Sequence, residues 1–182
     1  MMDKSKTVIL GSGVSGIGAV KLAQKKGLEI FLSDSKNIKS ETKKLLSKLE
    51  VKYEESGHTE KLIKDSKEII ISPGIDLRSL IKSKPSLKKK KIISEIEFAS
   101  RYTNAFIIAV TGTNGKTTTS KLIYHILKNS GFNVGLAGNI GYSFSESIVE
   151  NQFDYYVLEV SSFQLDHIIN FRPDISIITN IS

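Results

Sequence analysis

The chain contains no cysteine, which excludes disulfides, thiolate metal sites and cysteine nucleophiles. Long apolar runs are also missing, because no stretch approaches the ~20 residues that a membrane-spanning helix needs. The apolar stretch before the first glycine covers only residues 7–10, too few for the core of a signal peptide. These features predict a cytoplasmic protein that is not inserted in a membrane.

Arginine is scarce, although the formal net charge is +7. Of the 26 basic residues, only Arg78, Arg101 and Arg172 are arginines. Arginine is the side chain that recognises bases and phosphates through paired hydrogen bonds. The densest basic stretch, residues 82–94, leads into a strand-like segment, so lysines 88–91 are predicted to form a solvated loop. We therefore expect no nucleic-acid partner.

Short apolar runs alternate with helix-period segments along the 182 residues, which predicts an α/β fold with parallel sheets and crossover helices. A second series of such segments begins at Phe106, so we predict domains at 1–93 and 94–182. The predicted strands are 7–11, 29–34, 51–55, 68–74, a short segment from 91, 106–112, 134–138, 155–162 and 174–180. The predicted helices are 15–26, 39–49, 59–65, a turn before residue 102, 116–129 and 143–150.

The segment "TGTNGKTTT" (111–119) has the parts of a triphosphate site at a predicted strand-to-helix turn. Gly112 and Gly115 let the backbone curl so that N–H groups point inward, and Lys116 supplies a cation. Thr117 offers a hydroxyl for Mg²⁺. The general P-loop pattern is not satisfied, because Val110 stands where its first glycine would be. A capped helix start is the alternative, but capping needs neither two glycines nor a lysine, so we predict ATP binding.

The first glycine loop of the chain, "GSGVSGIG" (11–18), follows the first predicted strand and opens a helix. It fits the dinucleotide pattern through Gly11, Gly13 and Gly16, and Asp34 ends the next strand where a ribose-binding acid is expected. Taken alone, the loop predicts an NAD(P)-dependent dehydrogenase. A purely structural turn, with glycines that serve helix packing, is the other interpretation.

These segments together resemble the Mur ligase family over nearly the whole chain. The resemblance rests on T-G-T-N-G-K-T at 111–117, the 11–18 loop with Asp34, "SPGI" (72–75), "GNIG" (138–141) and "LEVSSFQL" (158–165). "SSFQL" together with "GNIG" favours the branch of the family that adds D-glutamate. The resemblance implies a Rossmann-like N-terminal parallel-sheet domain followed by the first part of a P-loop central ATPase domain.

The activity implied by the resemblance is the ATP-dependent ligation of D-glutamate to UDP-N-acetylmuramoyl-L-alanine through an acyl phosphate, a step of peptidoglycan precursor synthesis. It implies ATP and Mg²⁺, small-molecule substrates and a monomer. The N-terminal domain would hold the UDP group and not NAD, which argues against the dehydrogenase. The implied substrate contacts are Val14, Ser15, Asp34, Ser35 and Gly74 for the uridine nucleotide, with Asn139 and Ser161 for the muramoyl-alanine part or for water near the metal. Gln164 is either a packing or a surface residue.

The resemblance also implies roles around the phosphate loop. The ATP-binding residues would be Gly112, Thr113, Asn114, Gly115, Lys116, Thr117 and Thr118, with the N–H groups of residues 113–116 around the phosphates. Lys116 would neutralise charge during phosphoryl transfer. Glu159, at the end of an apolar strand, would share Mg²⁺ binding with Thr117, since a carboxylate there needs compensation. The alternative is an acid that is exposed to solvent at a strand end.

The remaining titratable groups and the chain end give two further expectations. His58, His125 and His167 are scattered, so they are predicted to be surface residues without a role. The last strand-like segment stops close to Ser182, which indicates a chain cut through a site, although a natural terminus is the alternative. We expect these 182 residues alone to have little or no turnover, and a non-catalytic nucleotide-binding module is the third functional reading.

Overall fold

The computed structural model describes residues 6–181 and has two parallel β-sheets. The first sheet has the strand order β3-β2-β1-β4-β5. Its strands are β1 (Thr7–Leu10), β2 (Ile30–Ser33), β3 (Lys52–Glu54), β4 (Glu68–Ile71) and β5 (Lys91–Ser94). The helices between them are α1 (Val14–Lys25), α2 (Ser40–Lys48), α3 (Glu60–Asp65) and α4 (Leu77–Ser83), and a 3₁₀ turn covers Pro85–Lys89.

The second sheet has the order β7-β8-β6-β9. Its strands are β6 (Phe106–Thr111), β7 (Val134–Gly138), β8 (Tyr155–Glu159) and β9 (Ile175–Ile178). The helices are α5 (Glu95–Ser100), α6 (Lys116–Asn129), α7 (Phe144–Glu150) and α8 (Ser162–Leu165). The predicted α/β class with parallel strands is confirmed. The change of sheet falls between Ser94 and Phe106, and the domain limits at 1–93 and 94–182 stay a prediction.

Strands β1, β2, β4 and β5 each contribute to two apolar layers, because side chains alternate between the faces of a strand. On β1, Ile9 packs into one cluster with α1, while Val8 and Leu10 pack into the cluster on the other face. The Ile9 cluster continues through α5 to Phe144 and Tyr156 of the second half. The two sheets therefore share one core.

Helices α1 and α7 hold the two halves together. The ammonium group of Lys21 forms an ion pair with Glu146, and Lys25 Nζ donates to the carbonyl of Val149 at 2.6 Å. The helices approach so closely at Gly18 that a Cβ there would lie 3.1 Å from the Cβ of Ser143. Both helices begin at the carboxyl edge of their sheets, so this contact ties the 11–18 loop to the segment after β7.

The prediction that all three histidines lie on the surface is wrong for His58. His58 is only 8% exposed, and its Nδ1 lies 2.6 Å from the hydroxyl of Ser33 at the end of β2. Burial lowers the pKa of His58, opposed by Glu54 and Asp34, so the ring is neutral and packs as a polar core residue. His125 is exposed, and His167 is partly buried.

The lysine-rich segment mostly faces solvent, as predicted, but two of its lysines have structural partners. Lys90 Nζ donates to the carbonyl of Lys64 in α3 and to that of Ser66 just after the helix, and Lys91 pairs with Glu68 at 3.0 Å. These contacts fasten the segment to the first sheet. Among the described helices, none is long and apolar enough to cross a bilayer.

Candidate active site

The loop between β6 and α6 has the backbone shape expected of an anion site. Gly115 precedes the first helical residue with φ 81°, and Gly112 has φ 136°, both in the left-handed region that favours glycine. Helix α6 runs for 14 residues from Lys116, so its positive end and the unpaired N–H groups of a first helical turn lie beside the loop. This arrangement suits a phosphate group.

Lys116 folds back over the loop that precedes it. Its Nζ donates to the carbonyl oxygens of Gly112 at 2.7 Å and Thr113 at 3.0 Å. The cation is therefore held at the mouth of the loop by weak acceptors. A phosphate oxygen, which carries a full charge, would be a stronger partner for the same ammonium group.

Glu159 stands at the centre of the polar groups at this edge. It is 1% exposed, and each carboxylate oxygen has a side-chain partner. Thr117 Oγ1 donates to Oε2 at 2.6 Å, and Asn139 Nδ2 donates to Oε1 at 2.8 Å. The predicted catalytic and metal residues Glu159 and Thr117 thus lie in direct contact, with Asn139 on the other side.

The oxygen ligands at this site suit a Mg²⁺ ion whose remaining ligands are phosphate and water. Within residues 6–181, no cluster of three or more His, Cys, Asp or Glu side chains could hold a metal. Glu159 and Thr117 supply two hard oxygen donors, and Mg²⁺ commonly takes one or two protein oxygens together with phosphates and water. The residues therefore fit a nucleotide-bound Mg²⁺ and not an all-protein cage.

The segment after β9 packs against the phosphate loop, a contact that the sequence did not predict. The carbonyl of Asn180 accepts the N–H of Thr113 at 3.0 Å, and its Oδ1 accepts the N–H of Asn114 at 2.9 Å. Two of the N–H groups that were predicted to surround the phosphates are therefore paired with Asn180. Thr179 and Asn180 were predicted as the end of the strand 174–180, whereas the strand ends at Ile178, and nothing in the sequence signalled their contact with the loop.

The first glycine loop is organised by Asp34. Its Oδ2 accepts both the N–H and the hydroxyl of Ser12 at 2.6 Å, and its Oδ1 accepts the N–H of Lys36 at 2.8 Å. Burial would raise the pKa of Asp34, but these hydrogen bonds hold it below its usual value, so the group is ionised. A Cβ at Gly13 would meet no atom within 4 Å, so this side of the loop is open to a ligand.

The predicted substrate residues lie at the carboxyl edges of the two sheets, but they do not line one cavity. Val14, Ser15, Asp34 and Ser35 surround the first glycine loop, and Asn139 and Ser161 lie in the second half. A cavity of about 830 Å³ between the two halves is lined by Gly74 alone of the predicted set. Its other lining residues include Arg78, Phe163, Asp166 and His167, none of which was predicted to contact a ligand.

Ser161 is fixed by a neighbouring amide. Its N–H and its hydroxyl both donate to Oε1 of Gln164, at 2.9 and 3.0 Å, in a capping box at the start of α8. Gln164 is 3% exposed, so it is a packing residue and not a surface residue. A second cavity, of about 840 Å³, lies near residues 101–105 at the opposite edge of the sheets and far from these groups.

Comparisons with known proteins identify the family to which both parts of the chain are similar. Residues 6–81 match the MurD N-terminal domain, and residues 110–182 match the Mur ligase middle domain. The chain is 50% identical over 177 residues to a UDP-N-acetylmuramoylalanine--D-glutamate ligase from Bacteroides thetaiotaomicron, covering 97% of this chain and 40% of that protein. It is 48% identical to the protein of that name from Porphyromonas gingivalis, covering 100% of this chain and 41% of that protein.

Solved structures extend the likeness to the fold. A UDP-N-acetylmuramate:L-alanyl-gamma-D-glutamyl-meso-diaminopimelate ligase from Neisseria meningitides superposes with a TM-score of 0.55 at 20% identity, over 98% of this chain and 61% of that one. A pseudomurein peptide ligase type C from Methanothermus fervidus gives 0.52 at 26% identity, over 87% and 33%. The chain spans about 40% of the length of the curated relatives that it matches. With a MurD N-terminal domain match around the first glycine loop and a Mur ligase middle domain match around the second, the chain belongs to the Mur ligase family.

Proposed function

We propose that this chain belongs to an enzyme that ligates D-glutamate to UDP-N-acetylmuramoyl-L-alanine at the expense of ATP, in peptidoglycan precursor synthesis. The observation that carries the proposal is the contact between Thr117, Glu159 and Asn139 directly beside Lys116 and the phosphate loop. Relatives with the name of this ligase are about 50% identical over nearly the whole chain. The N-terminal loop then serves the uridine nucleotide and not NAD.

The proposed reaction has two steps. The terminal carboxylate of the UDP-linked substrate attacks the γ-phosphorus of ATP, and ADP leaves as the acyl phosphate forms. The amine of D-glutamate then attacks the acyl carbon, loses a proton, and expels inorganic phosphate as the amide bond forms. Both steps develop negative charge on phosphate oxygens, which a cation and oriented N–H groups stabilise.

Each residue of the phosphate site has a proposed task in the first step. Lys116 exchanges its loop carbonyls for the β- and γ-phosphate oxygens. Thr117 and Glu159 would hold Mg²⁺, which would neutralise phosphate charge. Asn139 keeps the Glu159 carboxylate oriented through Oε1. Of the predicted loop amides, those at Gly115 and the start of α6 are the proposed phosphate donors.

The substrate side of the proposal rests on the first glycine loop and the cleft between the halves. Val14 and Ser15 begin α1, so the uridine nucleotide would meet a helix N-terminus next to the open face at Gly13. Asp34, Ser35 and Gly74 complete the proposed uridine contacts, with Ser161 on the muramoyl-alanine side. A cytoplasmic location, a monomeric state and a domain limit near residue 93 complete the proposal.

Ligand-dependent melting tests the nucleotide part of this proposal. Mg²⁺-ATP should raise the melting temperature of the chain, since a ligand that binds only the folded state stabilises it. Lys116→Ala should lose that shift and keep the shift given by a UDP-sugar, because the two loops lie on different sheets. Lys121→Ala, on the exposed part of α6, is the matched control. An unchanged ATP shift in Lys116→Ala would contradict the proposal, and so would quenching of NADH fluorescence on mixing.

Catalysis is a separate test, because the curated relatives extend well beyond the part that matches. We expect these 182 residues alone to form no measurable amide product when UDP-substrate, ATP, Mg²⁺ and D-glutamate are supplied. Chromatographic detection of product and a phosphate-release assay measure this. Product formation by the isolated chain would refute the expectation, and phosphate release without product would favour a nucleotide-hydrolysing module.

A further inference from the structure

Asn114, in the middle of the phosphate loop, has both of its backbone groups paired with the segment after β9. Its N–H donates to Oδ1 of Asn180 at 2.9 Å, and its carbonyl accepts from Nδ2 of the same side chain at 3.1 Å. The carbonyl also accepts the hydroxyl of Thr179 at 2.6 Å. One side-chain amide therefore pairs with a loop peptide as a neighbouring strand would.

The segment is also in close contact with the loop backbone. The N–H of Thr179 donates to the carbonyl of Thr111 at 2.9 Å, which prolongs the pairing of β9 with β6. A Cβ at Gly112 would lie 2.9 Å from the carbonyl oxygen of Asn180, so any side chain there would displace the segment. Residues 179 and 180 therefore lie directly against the loop backbone.

A loop with glycines on both sides of this peptide has many accessible conformations. Glycine reaches positive and negative φ with similar ease, so Gly112 and Gly115 give the intervening Thr113 and Asn114 little restraint of their own. Ordering a residue costs roughly 1–2 kcal/mol of conformational entropy. Contacts that order the loop before a ligand arrives remove part of that cost from binding.

We propose that Thr179 and Asn180 act as positioning residues for the phosphate loop, and we call this pair the clamp. The clamp holds the N–H of Thr113 and the N–H and carbonyl of Asn114, which leaves the N–H groups of Gly115 and the first turn of α6 for the triphosphate. This inference rests on the proposed ATP binding. It gives residues 113 and 114 a supporting role in place of direct phosphate contact.

Substitutions in the clamp show whether Thr179 and Asn180 position the loop for ATP or compete with phosphate for the loop N–H groups. Asn180→Ala removes two hydrogen bonds and should weaken Mg²⁺-ATP binding by up to about thirtyfold, since a net hydrogen bond contributes ~1 kcal/mol. Thr179→Val removes one and should weaken it about fivefold. Thr179→Ser keeps the hydroxyl and should bind as the wild type does. Asn151→Ala, an exposed asparagine directly after the carboxyl end of α7, is the control. Isothermal titration calorimetry measures each Kd.

A second readout needs no nucleotide. In the ligand-free wild-type chain the Asn114 amide should exchange slowly with deuterium, and in Asn180→Ala it should exchange at least about tenfold faster, because its acceptor is gone. A wild-type chain that does not bind ATP overturns the proposed function. Tight wild-type binding with equal or tighter binding by Asn180→Ala overturns the clamp, because it would show that Asn180 is neutral or competes with phosphate. Failure of Thr179→Ser to restore binding also overturns it.

Discussion

Glu97 is a buried carboxylate that accepts three backbone hydrogen bonds on one oxygen. Its Oε2 accepts the N–H groups of Ile169, Asn170 and Phe171 at 3.1, 2.9 and 2.7 Å, and Arg101 lies 3.5 Å from Oε1. Burial would raise the pKa of Glu97, but the three N–H groups and Arg101 hold it below its usual value. The carboxylate thus shapes the turn between α8 and β9, upstream of the clamp.

Glu97→Gln should lower the free energy of unfolding by about 2 kcal/mol at pH 7, because hydrogen bonds to a charged group are stronger than neutral ones. A carboxyl with a depressed folded-state pKa stabilises the fold above its unfolded pKa, and this is lost as the pH falls through the folded pKa. The difference between variant and wild type should therefore shrink below about pH 4. Urea titrations measure it, with exposed Glu29→Gln as control. A difference that grows in acid would contradict the assignment.

At the scale of elements, the paired helices α1 and α7 fix how the first glycine loop faces the segment after β7. Gly18 is the contact point, since a Cβ there would lie 3.1 Å from Ser143 Cβ and 3.3 Å from the N–H nitrogen of Glu146. The Ser143 hydroxyl is even closer, and it also caps α7 by accepting the N–H of Glu146. The helices can approach this closely only because residue 18 has no side chain.

Gly18→Ala should destabilise the chain by ~1–3 kcal/mol through overpacking, despite the better helix propensity of alanine. Thermal or urea unfolding measures the loss. Ser143→Ala removes the colliding hydroxyl, so the double variant should be more stable than the sum of the two single effects predicts. Gly13→Ala, with no atom within 4 Å of its Cβ, is the stability control. Strictly additive effects would contradict a direct collision.

The elements that the sequence predicted well are those whose ends carry strong local signals. The helix 116–129 was predicted with both ends correct, because Gly115 precedes it and Gly131 follows it closely. Helix α4 was missed, since its main signal is a single capping side chain, Asp76, within a polar loop. Helix α8 has only four residues, which is too short for a periodic pattern.

The candidate site was predictable to the extent that strand ends determine it. Parallel strands bring their carboxyl ends to one edge, so residues after β6, β7 and β8 had to converge, and Thr117, Asn139 and Glu159 do. Contacts that depend on side-chain geometry were not predictable. The burial of His58 requires the hydroxyl of Ser33, and the role of Asn180 requires β9 to pair with β6. Neither relation has a sequence spacing that identifies it.

For the molecule as a whole, the shared core contains one carboxyl group that is hard to ionise. Glu95 begins α5 and is 2% exposed. Its Oε1 accepts the N–H of Ser145 at the start of α7. Its Oε2 has no hydrogen-bond partner among the described residues. Burial raises the pKa of Glu95 to about 7, and the neighbouring Glu146, paired with Lys21, adds to the shift. The ionisation of Glu95 therefore makes the stability of the junction between the two halves depend on pH.

The ionisation of Glu95 changes the free energy of unfolding with pH in the opposite direction to that of Glu97. Glu95 binds a proton more tightly in the folded chain than in the unfolded chain, so its own contribution to stability is fully present in acid and is lost as the pH rises from about 4.5 to about 7. The glutamine in Glu95→Gln stays neutral, so the variant lacks this pH-dependent contribution to stability. Relative to wild type, the variant should gain about 3 kcal/mol between pH 4.5 and pH 8, a figure that follows from the pKa difference. Urea unfolding at several pH values measures the gain, with exposed Glu150→Gln as the carboxylate control. A difference that is constant across this range would show that Glu95 ionises normally and that the junction tolerates the charge.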